Sequence, residues 1–344
     1  MGIMNQKELR KCIKRLNQSL NQNSNDAGLY YDYAMGTLIH QKIIAPPAIR
    51  SRITRETCHM IHHLEEIMNV YRSKSQISQI NRLAGKGWVT VTLPLLWVIK
   101  EAKRYARLTE GFFDITIASL IRLWQYYGKL NQIPPDDEIK AHLNQVDYEA
   151  IMIDEGNQRI RLQKDGQKID LGGIAKGYTA NRVIRYFRSV GLNSAMINLG
   201  GHVAVLGKRP DGNPWQIGIQ DPDRERGVCL GSVSVQNQSV VTSGNYERQF
   251  INGHYRYHHI LNPLTGYPAE SGLKSVTIIH DDSLLADVLS TTLFGLGLKA
   301  GLKLIKRFAD VAAILITDDR QLYVTGKPIM KLTGDLDNKS VHQI

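Results

Sequence analysis

Cysteine is scarce in this chain of 344 residues: Cys12, Cys58 and Cys229 are odd in number and widely spaced. With no CxxC pair, neither a disulfide framework nor a structural zinc site is expected. Long apolar runs are missing too, since none reaches the roughly 18 residues that span a bilayer. The amino-terminal MGIMNQKELRKCIKRLNQ carries charges where a signal peptide needs an apolar stretch. The expected location is therefore cytoplasmic, with an extracytoplasmic, membrane-anchored protein as the alternative if an export segment was removed. Acidic residues are outnumbered, 32 against 43 basic, which leaves a formal charge of +11. Such a surplus suits nucleic acid, an acidic membrane surface or a phosphate-rich ligand. The basic residues are scattered, with no stripe interleaved with aromatics, so no nucleic-acid partner is expected. No internal period of roughly 20–50 residues suggests a solenoid.

What is present is an ordinary globular balance, 42% hydrophobic and 22% charged, with length enough for a sizeable core. Leu9, Ile13, Leu16 and Leu20 recur at helical spacing among Lys7, Arg10, Lys11, Lys14 and Arg15. They mark a basic amphipathic helix, docked on the body rather than anchored at a membrane surface, because no Trp or Phe lies on its apolar face. A polar linker, NQSLNQNSND, follows, and the folded body is expected to start near Tyr30. The expected division is an extension and linker over 1–29, one catalytic body over 30–335 and a tail over 336–344.

Helices are expected first: one with Ile61, Leu64, Met68 and Tyr71 on its apolar face, one over 95–108, one opened by Pro134, Pro135 and Asp136, and one from Ala175 to a stop at Gly191. The period then becomes two, with strands expected over 194–198, 215–219, 228–235, 255–260, 275–279 and 312–316. Helices over 283–295 and 299–308 interrupt them. Partly segregated helices and hairpin-spaced strands imply an α+β fold, a single body of mixed, largely antiparallel sheets flanked by helices.

Five segments have the makings of a site. DLGGIAKGY, Asp170 to Tyr178, turns on two glycines into a helix start, where free N–H groups and Lys176 favour an anion. NLGGH, Asn198 to His202, is a second Gly-Gly turn after a strand. TSGNYER, Thr242 to Arg248, offers small hydroxyls and a glycine. HHILNPLTG, His258 to Gly266, places His259 at a strand end beside a rigid turn, where it can act as acid or base. ADVLSTT, Ala286 to Thr292, puts Asp287 and Thr291 on one helix face, two hard oxygen donors that make a partial shell for Mg²⁺. Each has a plainer alternative: tight turns, a capped loop, a structural histidine, or a carboxylate serving a helix dipole.

Taken in this order, the five segments resemble the FAD:protein FMN transferase (ApbE) family. AMGT, Ala34 to Thr37, resembles the family's MGT opening; YRSKSQISQIN, Tyr71 to Asn81, and GFFDIT, Gly111 to Thr116, followed by Trp124, match further segments. The resemblance covers roughly 30–330. It implies a transferase that binds FAD with Mg²⁺, moves FMN to a Thr or Ser hydroxyl in a Gly-containing loop of an acceptor flavoprotein, and releases AMP. It implies metal ligation by Asp287, Thr291 and the carbonyl of Ala175, with His259 helping to deprotonate the acceptor and lying at the flavin. The flavin and its phosphates would meet Met35, Tyr71, Ser75, Asn81, Asp114, Gly173, Lys176, Tyr178, Gly200, Gly201, Ser243, Gly244 and Tyr246. The chain departs from the family at Asn181, Asn245 and Asn262, where Asp is usual. An FAD pyrophosphatase and a non-catalytic FAD-binding protein are the alternatives.

Overall fold

The computed structural model describes residues 6–20, 28–246, 249–252, 255–258, 260–332 and 341–344. The chain opens with α1 (Gln6–Leu20), the hairpin β1 (Leu29–Ala34) and β2 (Thr37–Ile43), α2 (Pro47–Met68) and α3 (Gln76–Arg82). Next come β3 (Val89–Thr90), α4 (Leu93–Leu108), α5 (Ala118–Lys129), α6 (Asp136–Leu143), β4 (Ile151–Asp154) and β5 (Arg159–Leu162). The middle holds α7 (Ala175–Ser189), β6 (Ser194–Leu199), β7 (His202–Gly207), β8 (Trp215–Gln220), β9 (Cys229–Val235) and β10 (Ser239–Gly244). The short pair β11 (Gln249–Asn252) and β12 (Tyr255–His258) precedes β13 (Leu273–His280) and α8 (Ser283–Ile305). The chain closes with β14 (Ala312–Thr317), β15 (Leu322–Thr325), β16 (Ile329–Leu332) and β17 (Val341–Gln343).

Nine strands form the main sheet in the order β1-β2-β6-β7-β10-β13-β14-β15-β17. Its neighbours run antiparallel except β15 and β17, which are parallel. Successive residues of its central strands serve opposite faces, as the period of two requires. Val241 and Leu315 join the core under α4 and α8, while Val240 and Ile314 join the core under β8 and β9. A third cluster seats α2 and α7 on β1, β2 and β6 through Ile53, Ile61, Val183 and Phe187. One face therefore carries the helices and the other the small sheet β16-β9-β8. This is the expected α+β class with largely antiparallel sheets.

Several local expectations change. The body opens on a hairpin, not on helices, and Ala34-Met35-Gly36-Thr37 is its turn. Met35 and Gly36 both have positive φ there, 53° and 72°. Tyr71 is not on the apolar face of α2, which ends at Met68; it lies in the following turn, 67% exposed. Asn237 (φ 55°) separates β9 from β10, a strand not among those expected, and the two join different sheets. The polar linker does not begin at Asn17, which belongs to α1 and clasps Tyr31 through its amide, 2.8 Å in each direction. With Ile13 it docks α1 on β1, as the amphipathic pattern implied. The two helices expected over 283–308 are the two arms of α8, kinked at Gly297 (φ 76°).

α8 is itself a long, largely apolar helix. Among the described helices it is long and apolar enough to cross a membrane by length and composition. Asp287, Lys299 and Lys303 break its apolar stretch into shorter runs in the sequence. Here Leu284, Ala286, Leu289, Leu293 and Phe294 are buried in the core against the main sheet.

Candidate active site

The site is built where α7 starts beside α8. Asp170 accepts the Gly172 N–H (2.6 Å) and shapes the turn that ends at Gly173 and Ile174. Asn81 aligns the approach to that turn: its amide accepts the Ile169 N–H (2.7 Å) and donates to the Ile169 carbonyl (2.9 Å). Gly177, in the first turn of α7, is pressed on α8. A Cβ there would lie 2.6 Å from the Ser283 carbonyl oxygen and 2.7 Å from the Leu284 Cα, so only glycine allows this approach. The approach lets the Gly177 N–H donate to Asp287 Oδ2 at 2.8 Å.

Asp287 is 4% exposed. Burial opposes its charge, yet His202, Lys176 and the Gly177 N–H outweigh burial and hold the carboxyl below the usual range. His202 leaves the second Gly-Gly turn on β7 with Nδ1 3.6 Å from Asp287 Oδ1 and Nε2 2.5 Å from Ser283 Oγ. His202 Nδ1 is buried and makes no hydrogen bond among the described residues. One turn along α8, the Thr291 hydroxyl lies 3.3 Å from Ser243 Oγ, which is itself 2.9 Å from Ser290 Oγ. Gly173 covers this hydroxyl group, for a Cβ on it would lie 3.9 Å from Thr291 Oγ1. The Ala175 carbonyl opens α7 and accepts the Thr179 hydroxyl at 2.8 Å.

The glycine turns also meet. A side chain on Gly200 (φ 68°) would collide with Thr37, so the Met35–Thr37 turn and the Gly200–Gly201 turn pack on each other. The Gly201 N–H is turned to Asn198 Oδ1 (2.7 Å), and nothing lies within 4 Å of where its Cβ would be. Tyr178 is buried with its ring 5.4 Å from that of Trp97. Gly244 is held by the Tyr246 ring, 2.5 Å from where a Cβ would be.

Other candidate residues have their polar atoms engaged inside the protein. Ser75 caps α3 by accepting the Ser78 N–H (3.1 Å). Asp114 accepts from the Thr116 N–H and hydroxyl and from the Tyr148 N–H; even so, burial pushes its carboxyl up to about 6. Tyr71 is far out, its hydroxyl near Gln125. His259 lies outside the described residues, as do Glu247 and Arg248. His202, which as a turn residue would have no role, stands beside Asp287; its place directly after a Gly-Gly turn is the one sequence signal for it.

Two of the three asparagines have a structural account. Asn181 donates to Asp282 Oδ1 (2.6 Å) and accepts the Ser283 N–H (2.9 Å), a pairing at the α8 cap that needs an amide. Asn262 accepts the Leu264 N–H (2.9 Å), which either residue type can do. The Asn245 N–H donates to the Lys274 carbonyl (3.1 Å), and no hydrogen bond of its side chain among the described residues tells Asn from Asp.

Among the described residues no three His, Cys, Asp or Glu cluster as a metal centre. A cation at Asp287 would have one carboxylate, the Thr291 hydroxyl and the Ala175 carbonyl. An all-oxygen set with few protein charges suits Mg²⁺, which keeps positions for water and phosphate oxygen, and does not suit zinc. The ionised, buried Asp287 supports that fit.

A model of the ApbE family matches residues 35–315. The FAD:protein FMN transferase of Klebsiella pneumoniae (strain 342) is 36% identical over 299 residues, covering 86% of this chain and 92% of that protein. The protein of the same name from Treponema pallidum (strain Nichols) is 29% identical over 306 residues, covering 85% and 84%. Among solved structures, the ApbE protein of Thermotoga maritima superposes with a TM-score of 0.79 at 32% identity, covering 86% of this chain and 95% of that one. The flavin transferase ApbE of Vibrio cholerae gives 0.76 at 28%, covering 86% and 96%. The chain belongs to the ApbE family, the flavin transferases.

Proposed function

We propose that this protein moves the FMN half of FAD, in a Mg²⁺-dependent reaction, to a Thr or Ser hydroxyl of an acceptor flavoprotein and releases AMP. The acceptor oxygen bonds to the FMN phosphorus, the bond from that phosphorus to the AMP oxygen breaks, and AMP leaves with the electron pair. The observation that carries this reading is Asp287, a buried ionised carboxylate one turn from Thr291 and beneath the glycine turn that starts α7. Phosphoryl transfer depends on positioning and charge neutralisation more than on covalent help. When bound at Asp287, Thr291 and the Ala175 carbonyl, Mg²⁺ supplies neutralisation of phosphate charge.

The rest falls to the chain. The 172–177 turn brings backbone close to a diphosphate, because Gly173 has no side chain above Thr291. Lys176 adds a fixed positive charge near Asp287. Gly177 holds the carboxylate in one orientation, and His202 sits behind it. The hydroxyl proton needs a base; His259 takes that role by its place in the family motif, worth roughly 10²–10⁴-fold.

Mass spectrometry of a candidate acceptor domain incubated with this protein, FAD and Mg²⁺ tests the reading. One added FMN on a Thr or Ser, lost with EDTA and with Asp287→Ala, is the expected result. Free FMN and AMP with an unmodified acceptor would point instead to a pyrophosphatase. Intact FAD would leave only binding.

A further inference from the structure

The two oxygens of the Asp287 carboxylate face different parts of the fold. Oδ2 takes the Gly177 N–H at 2.8 Å, and Oδ1 faces His202 Nδ1 at 3.6 Å. The period of two along β7 explains why a histidine stands there. Ala204 and Leu206 lie in the core cluster under α2 and α7, whereas Val203 and Val205 lie in the core under β8 and β9. His202, the first residue of the strand, shares the face of Ala204 and Leu206, and it is 2% exposed. Its side chain therefore enters the helical layer at the level where α7 meets α8.

The ring has two polar ends. Nε2 lies 2.5 Å from Ser283 Oγ, a hydroxyl able to donate or to accept. Nδ1 is buried and makes no hydrogen bond among the described residues. At 3.6 Å its approach to Oδ1 is too long for a hydrogen bond and is an ion–dipole contact. A lone pair on Nδ1 would face the carboxylate charge and be repelled, whereas an N–H there is attracted. The ionised carboxylate thus selects a hydrogen at Nδ1, and the Ser283 hydroxyl can supply Nε2. A carboxylate held by one donor alone can still pivot about that contact. Gly177 fixes Oδ2, and His202 is the group in place to fix Oδ1. Outer partners that orient a ligating side chain are worth about 10–100-fold in metal affinity.

We propose that His202 is a positioning residue: its Nδ1–H, together with the Gly177 N–H, orients Asp287 as a divalent-cation ligand and so sets the cation affinity of the site. This rests on the reading of Asp287 as a ligand. Nitrogen-15 NMR of the full-length protein labelled at histidine, free of FAD and divalent cations, reads the ring directly. The His202 signal is identified by its loss in His202→Asn. Nδ1 should carry the hydrogen; a lone pair there would overturn the proposal and make His202 a candidate ligand itself. Mn²⁺ then probes the site, its binding read from loss of the free-ion EPR signal in FAD-free protein. His202→Leu should weaken Mn²⁺ binding about 10–100-fold. The amide nitrogen of Asn is as many bonds from Cβ as Nδ1, so His202→Asn should stay within about threefold of the natural protein. The Gln amide reaches instead to the place of Nε2, so His202→Gln should resemble His202→Leu. A histidine that only fills space would lower the melting temperature of all three variants and leave their Mn²⁺ affinities equal, and that result would overturn the proposal. Asp287→Asn should abolish Mn²⁺ binding. Binding unchanged by that substitution would strike the reading of Asp287 as a ligand, separately from anything the His202 variants do.

Discussion

At Asn181 a single amide decides a local electrostatic question. It donates to Asp282 and accepts from Ser283 at the start of the helix that carries Asp287. Asn181→Asp would set two carboxylates about as close as the present 2.6 Å bond. Carboxylates this near hold a proton between them, so the raised affinity stabilises the fold at low pH and fails as pH rises. Urea melts should show the substitution costing little near pH 5 and about 1–3 kcal/mol near pH 8. Asp114 works in the same direction in the natural chain. Its carboxyl is pushed from the ordinary 3.8 up to about 6, so the folded state holds the proton more tightly than the unfolded chain. Stability from this residue is present below about pH 4 and about 3 kcal/mol of it is lost as pH rises through 6. Asp114→Asn should remove that part of the slope; equal slopes in melts of the two proteins would contradict it. Asp287 acts with the opposite sign, since its lowered carboxyl stabilises at neutral pH and gives this up under acid.

At the level of elements, α8 carries the most. Its first arm bears Asp287 and Thr291, and its kink sits at Gly297, where a Cβ would lie 2.7 Å from the Ser271 carbonyl oxygen. Gly297→Ala should lower stability by about 1–3 kcal/mol, because both the positive φ and the space favour glycine. Calorimetry would show it as a lowered melting temperature. The two arms were readable from the sequence because glycines punctuate the apolar run. α4 and α7 were readable as well, for each has clear apolar spacing and a stop signal. β1, β2 and β10 were not. β1 is half-exposed with tyrosines on both sides, and β10 follows a single-residue break at Asn237 that polar alternation does not mark. The site divides along the same line. Asp287, Thr291 and the glycine turn lie in dense local motifs, so the sequence brings them forward as candidates. His202 becomes a neighbour of Asp287, 3.6 Å away, only because β7 and α8 both pack on α7 from distant parts of the sequence. No local pattern records such a contact.

For the whole molecule, the main sheet is the organising object. β10 and β13 lie near its middle with packed cores on both faces, while β1 and β17 are its edges. Hydrogen exchange should be slowest in β10 and β13 and fastest in β1 and β17, as opening begins where burial is least. Mass-resolved exchange of peptides from the four strands would decide this; uniform protection would count against the layered description.

The order of that sheet has a temporal consequence. β2 pairs with β6, so Ile39 faces Leu199 across a long intervening stretch, and Asp287 arrives later still. On a ribosome the amino-terminal hairpin emerges well before its partner strand exists, and Asp287 comes only after most of the sheet has been made. Loop closure over such distances slows folding and leaves strand edges open meanwhile. A complete candidate site is thus one of the last things the nascent chain acquires, and a truncated product lacking α8 would be released without it.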